Sequence, residues 1–212
     1  MTTQTLYKQE LRGRILATAM REFTAKSILK IKMDEIARML VISRRTLYEI
    51  FEDKETILFE GIKLSEEMID KRMREFAADE AHTSIDIIAE FYIIQMENFA
   101  NVSYLFFEQL YKYPAIIDYL NQRRKERDAT SHLFFERGVR EGYFREDVSY
   151  DIVAQIGHAA FTHILSGQLC KIYSMETLYR NIFFLLIRGV CTEKGVAELE
   201  RAFQYRRQYI KK

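Results

Sequence analysis

The sequence predicts an all-α fold. Three observations point there. The 212 residues contain one proline and only eight glycines, well below the roughly 5% and 7% of average usage. The apolar residues recur every three to four positions. No stretch alternates apolar and polar over the length of a strand, and turn signals are too sparse for a many-stranded sandwich or barrel. At 48% hydrophobic and 30% charged, the chain can bury a core and still present a polar surface.

The elements follow in order. Leu11, Ile15, Ala19 and Phe23 step by four, beside Leu16 and Met20, and form the apolar stripe of a first helix of about four turns. Ser27 to Lys32 interrupts the pattern. A short helix is predicted from Met33 to Leu40, with Asp34 and Glu35 in its first turn, where the helix dipole favours acids. Val41 to Ser43 separates it from a second short helix, Arg44 to Ile50. Asp53 reads as the N-cap of a longer helix that reaches Phe76. Thr83 and Asp86 form a capping box ahead of Ser84–Phe99, a helix apolar on almost every side and therefore expected to be buried. Tyr104–Tyr111 follows and closes before Pro114. Ala115–Arg140 is long, and Gly142 fits a left-handed C-terminal position behind it. Ser149 caps Tyr150–Leu169, Ser174 caps Met175–Cys191, and a basic helix runs from Val196 to Ile210.

The net charge of +1 conceals an uneven distribution. Residues 1–54 carry eleven Lys/Arg against seven Asp/Glu, residues 55–200 carry 16 against 24, and residues 201–212 carry five against none. A basic head, an acidic body and a basic tail suggest that one end meets an anion.

Other chemistry finds little support. Cys170 and Cys191 are too few for a disulfide framework and lack metal-ligand spacing. His158 and His163 stand five apart, about 140° around a helix, so they do not share a metal. No Ser/His/Asp arrangement, glycine-rich phosphate loop or paired carboxylates emerge. No catalytic residue, metal or cofactor is expected. The first residues are polar, and the longest apolar run, Ile182–Ile187, ends at Arg188, so the chain reads as cytoplasmic with no membrane partner.

The sharpest feature spans residues 33–54. Two short helices joined by a tight turn have the form of a helix-turn-helix, whose second helix enters the DNA major groove. Ser43 is placed to cap that helix. Arg44 and Arg45 supply charge for phosphates or a bidentate contact to guanine, and Thr46 offers a hydroxyl or a methyl. Leu47 and Ile50 pack inward while Tyr48 points out. Lys54 opens the next helix, where an ammonium and backbone N–H groups together suit a phosphate.

The run Phe23 … Ile36-Ala37 … Ile42-Ser43-x-x-Thr46-Leu47-Tyr48-x-x-Phe51-x-x-Lys54-Glu55-x-x-Leu58 resembles the DNA-binding domain of tetracycline-repressor-type (TetR-family) transcription regulators. The resemblance covers roughly residues 10–60 without gaps. It implies an N-terminal three-helix DNA-binding domain, residues 1–55, and a larger helical effector-binding and dimerisation domain, residues 56–212. It further implies a homodimer on a palindromic operator and a small-molecule effector. By the same resemblance Thr46, Tyr48 and Lys54 match positions that touch the DNA backbone, and Lys32, Met33, Ser43, Arg44 and Arg45 complete the expected DNA-binding set. The segment Arg137–Phe144 with Asp147 is similar to the family's approach to its first dimerisation helix.

Three positions depart from the family pattern. Val41 stands where the turn often has glycine, and a β-branched residue resists positive φ, so a differently wound turn is expected. Ser27 replaces a glycine after the first helix. Lys32 replaces a capping Ser or Thr and cannot accept a backbone N–H, so that helix end is expected to be capped by water or a neighbour, or Lys32 to reach a phosphate.

In the C-terminal region the resemblance implies a pocket for a hydrophobic or flat aromatic effector. Phe91, Tyr92, Met96, Phe99, Phe107, Tyr111, Phe134 and Phe161 are its candidate lining, with a filled core as the alternative. The expected dimer seam is Val153, Ile156, Ala160 and Ile164, beside Ile152, on one helix and Phe183, Leu186 and Val190 on another. The function expected is that of a sequence-specific DNA-binding regulator, a repressor released by its effector. The alternatives are a regulator whose C-terminal domain binds a protein partner, and a helical enzyme, which the missing polar cluster disfavours.

Overall fold

The computed structural model describes residues 3–100, 102–166 and 169–210. Among them are eleven helices and no strand, with one isolated antiparallel bridge between Phe144 and Cys191. The helices are α1 (Thr3–Ala25), α2 (Met33–Met39), α3 (Arg44–Tyr48), α4 (Lys54–Ala77), α5 (Ser84–Phe99), α6 (Tyr104–Leu110), α7 (Pro114–Arg140), α8 (Tyr150–Ser166), α9 (Leu169–Ile172), α10 (Met175–Val190) and α11 (Glu193–Ile210). No helix among the described residues is long and apolar enough to cross a membrane.

The second helix of the motif ends at Tyr48, two residues short of the expected Ile50, and three helices change by more than that. The first helix begins at Thr3, two turns before its apolar stripe, on a segment whose Leu6 and Tyr7 are exposed. The helix expected over Tyr150–Leu169 ends at Ser166, and Leu169–Ile172 is a separate short helix. The last helix starts at Glu193, where the Thr192 hydroxyl accepts the Gly195 N–H at 3.0 Å and so supplies a cap three residues earlier than the pattern suggests. Of the basic tail, Lys211 and Lys212 lie outside the described residues.

The chain folds into two compact units that do not follow a single cut. The first holds residues 1–68 and 101–119; the second holds 69–100 and 120–212. Thus α6 and the start of α7 join the N-terminal unit, although the sequence alone groups them with the larger C-terminal domain.

In the first unit, Leu11, Ile15, Ala19 and Phe23 on α1 are all essentially inaccessible. They pack in a core with Ile28, Ile36, Leu47, Phe51, Ile57, Leu58 and Ile116. Burying a side chain of this size stabilises by about 1.5–3 kcal/mol, so this core fixes α1 to α4 as a block. The loop between α1 and α2 is held by polar bonds. Ser27 is fully buried, and its hydroxyl donates to the Gln109 side-chain carbonyl of α6 at 2.9 Å. The same oxygen accepts the Leu29 N–H at 2.8 Å.

In the second unit α5 packs on α10 and α11, and α8 packs on α10. The Thr83–Asp86 capping box closes the start of α5. Beside it, the Glu141 carboxylate accepts the Ser84 N–H at 2.8 Å and pairs with Arg137. Ile85, Phe144, Ile187, Val190, Cys191 and Leu199 form its buried core. The C-terminus of α7 is a Schellman turn: Gly142 donates to Val139 and Tyr143 to Gly138, with Gly142 at φ +76°.

Candidate DNA-binding interface

The interface is built from the first unit's core outward. Leu47 is fully buried and Ile50 half-buried, so the opposite face of α3 is presented to solvent. That face carries Arg44, Arg45 and Tyr48, all exposed, and Thr46 is half-exposed beside them. Ser43 is the N-cap: its hydroxyl accepts the Thr46 N–H at 3.0 Å and lies 2.8 Å from the Thr46 hydroxyl. Loss of such a cap costs about 1 kcal/mol. The helix is only five residues long, so the cap satisfies a large share of its backbone.

The turn ahead of α3 retains its left-handed form. Val41 has φ +56°, the one non-glycine residue with positive φ among those described. Val41 donates to Arg38 and Ile42 to Ala37, the same Schellman pattern that Gly142 completes. The expectation of a differently wound turn is therefore wrong. The hydrogen bonds and the buried Ala37 and Leu40 hold the backbone there, and Val41, 92% exposed, carries the strain.

Lys32 is exposed at the start of α2. Its N–H donates to the Glu35 carboxylate at 2.8 Å, and the Glu35 N–H returns to the Lys32 carbonyl. The helix end is thus capped by a neighbour from inside the helix, and the lysine ammonium is not involved. Met33 is buried. Lys54 turns inward: its ammonium donates to the carbonyls of Ile28 at 2.9 Å and Ile31 at 3.2 Å, and burial lowers its pKa. It ties α4 to the α1–α2 loop.

Neither arginine of α3 stands free. Arg44 Nε lies 2.5 Å from the Asp34 carboxylate of α2, and Arg45 Nε lies 2.9 Å from Glu49 one turn on. A third arginine holds the far end of α3. Arg12 stacks over the Phe51 ring at 4.4 Å, donates to the Ile50 carbonyl at 3.3 Å and pairs with Glu60. The Arg45–Glu49 pair follows i,i+4 spacing and was open to sequence reasoning. Asp34, Arg12 and Gln109 act across the fold, and no local pattern marks them.

The candidate effector residues do not form one group. Phe107 is buried and Tyr111 exposed in the first unit. In the second unit Tyr92 lies 4.7 Å from Phe183 and 5.0 Å from Phe203, and Phe99 lies 5.1 Å from Tyr179 and 5.9 Å from Phe161, centroid to centroid. These rings pack on one another, and burial raises the Tyr179 phenol. Phe134 belongs to a different cluster with Phe135 and Phe144. Met96 is half-buried and Phe91 exposed. An open cleft of about 690 Å³ lies between α10 and α11 and is lined by Phe184, Leu185, Leu199 and Phe203, none of them in the predicted set.

Of the expected dimer residues, Ile164 and Val190 are buried within the protomer, and Val153, Ala160, Phe183 and Leu186 are partly covered. Leu186 approaches Gly157 where α8 and α10 cross. Ile156 is exposed, as is Ile152 one turn before it on α8; Leu185 on α10 is exposed as well and lines the cleft toward α11.

Residues 15–60 match the model of the tetR family of bacterial regulatory proteins. None of the curated proteins matches this sequence. Solved structures share the fold at low identity. A TetR-family transcriptional regulator from Marinobacter aquaeolei VT8 is 19% identical, with TM-score 0.63 over 99% of each chain. A transcriptional regulator from Saccharomonospora viridis in complex with choline is 19% identical, with TM-score 0.66 over 87% of this chain and 100% of that one. The ketosteroid transcriptional regulator KstR2 of Mycobacterium tuberculosis is 18% identical, with TM-score 0.55 over 86% and 95%. The matched segment and the helix-turn-helix geometry above make residues 15–60 a tetR-type DNA-binding domain, and the chain shares the all-α fold of those regulators.

Proposed function

We propose that the protein is a repressor that binds a palindromic operator as a homodimer and releases it when a hydrophobic or aromatic small molecule occupies the second unit. The observation that carries the DNA half of this reading is the capped, outward face of α3, with Arg44, Arg45, Thr46 and Tyr48 above a buried Leu47. Two such faces read adjacent half-sites when they stand about 34–36 Å apart, one turn of DNA. An effector that favours another spacing weakens operator binding, and by linkage DNA weakens effector binding equally. The exposed Ile152 and Ile156, one turn apart on α8, support pairing of two copies there. Arg44, Arg45, Thr46 and Tyr48 are the assigned DNA contacts. Lys32 is exposed for a phosphate, and Lys54 acts by holding the loop before α2.

A second reading gives the second unit a protein partner. The packing of Tyr92, Phe99, Phe161, Tyr179 and Phe183 on one another favours it, since rings that fill a core leave less room for an effector.

The test begins with selection of bound duplexes from a random pool by the full-length protein. A palindrome is expected. Arg44→Ala with Arg45→Ala should weaken binding to it by about 1–3 kcal/mol per lost base contact and flatten the salt dependence. Wild-type affinity in the double variant at matched salt overturns the assignment. Flat aromatic compounds that raise the melting temperature and release the duplex support the effector reading; no response across the panel favours the partner.

A further inference from the structure

We infer that Asp34 and Glu49 are specificity determinants of DNA binding, acting as carboxylate placeholders for the two arginines of the recognition helix. The inference rests on α3 being that helix. Arg44 is paired with Asp34 and Arg45 with Glu49, both through Nε, and all four side chains are substantially exposed. The two carboxylates come from different places, α2 and the C-terminal end of α3. Each nonetheless takes one of the two guanidinium groups that α3 presents.

An arginine held this way has little net attraction for a phosphate. To take one, it must leave its carboxylate, and the released carboxylate then repels the phosphate nearby. An exposed ion pair shifts an equilibrium by only about fivefold at most, so the pair does not block DNA. A single phosphate contact gains a similar amount, and the exchange nearly breaks even. A bidentate contact to guanine O6 and N7 is worth about fivefold to 150-fold, enough to break the pair with a net gain. The carboxylates therefore suppress binding to arbitrary sequence more than binding to a site with guanine in the right place. They also hold each guanidinium near the surface of α3, which limits the side-chain freedom lost on docking.

The test measures full-length protein against two duplexes, the selected operator and one of random sequence, over a range of salt. The variants are Asp34→Asn and Glu49→Gln. Glu52→Gln serves as control, because Glu52 is exposed and has no ion pair among the described residues. Each placeholder variant should bind the random duplex about threefold to tenfold more tightly and steepen its log–log salt slope by about 0.9, the contribution of one added phosphate contact. Operator affinity should rise less, so the ratio of specific to random binding falls. Glu52→Gln should shift both duplexes by one common factor. A common factor for Asp34→Asn and Glu49→Gln as well would mean that they merely add negative charge, and overturns the inference. An unchanged salt slope overturns it too. So does a loss of operator affinity alone, which would make the carboxylate a direct reader of cytosine N4. Glu49 is exposed at the end of its helix, so Glu49→Gln reports even if Asp34→Asn weakens α2. Failure of the wild type to bind either duplex would instead remove the DNA reading itself.

Discussion

Val41→Gly should stabilise the protein, against the usual direction of a glycine substitution. An L-residue in the left-handed region costs about 1–2 kcal/mol, and the β-branch of valine places it at the upper end. Glycine removes that cost but adds about 0.5–1 kcal/mol through its greater freedom in the unfolded chain. Nothing else offsets the gain: Val41 is 92% exposed, so no buried contact is lost, and the turn's bonds to Arg38 and Ala37 are made by backbone. The net expectation is about 0.5–1 kcal/mol of added stability. In a chain of this size that raises Tm by roughly 1–4 °C. Circular dichroism melts at fixed protein concentration read it. Val41→Ala keeps a Cβ and should recover only part of the rise. If the glycine variant melts below wild type, or alanine matches glycine, the strain assigned to this turn is not there.

Three further outcomes follow from the same reasoning. Gln109→Leu strands the buried Ser27 hydroxyl and the Leu29 N–H; it should cost about 1–3 kcal/mol in denaturant unfolding, with Ser27→Ala adding less than its own effect on top. Asp53→Ala removes the α4 cap, whose carboxylate accepts the Thr56 N–H at 2.7 Å, and should cost about 1 kcal/mol. The Thr56 backbone and hydroxyl bonds hold the Asp53 pKa below its ordinary 3.8, so this contribution is complete above that pH and is shed as the pH falls through the lowered value; the variant's deficit should vanish in acid melts. Cys191 is buried and its thiol is pushed up to about 11, so iodoacetamide at pH 8 should modify it only when the protein is unfolded. Rapid labelling of native protein would contradict the burial.

What the sequence made legible was local. Ser43, Thr83 and Ser174 are the caps their spacing predicts, and Gly142 takes the left-handed position. Periodicity located the buried stripe of α1 and the extent of α5 because the buried face of a helix repeats within the helix itself. What stayed hidden depends on contacts between distant residues. Lys54 resembles a phosphate ligand until the carbonyls of Ile28 and Ile31 come within reach. Gln109 is an ordinary polar residue until Ser27 is buried against it, 82 positions away. Val41 is informative in another way: its side chain argued correctly about cost and wrongly about outcome, because the surrounding core and hydrogen bonds outweigh a penalty of one or two kcal/mol.

The division of the chain has a practical consequence for building hybrid regulators. Because residues 101–119 return to the N-terminal unit, a head excised at residue 55 or 68 lacks the Gln109 carbonyl and the buried Ile116. Ser27 and Leu29 would then meet water or nothing. A graft of this head onto another regulator's body should carry the α6 segment with it. The same holds during synthesis on the ribosome: the helix-turn-helix is translated before residues 101–119 but reaches its finished form only after that segment has emerged.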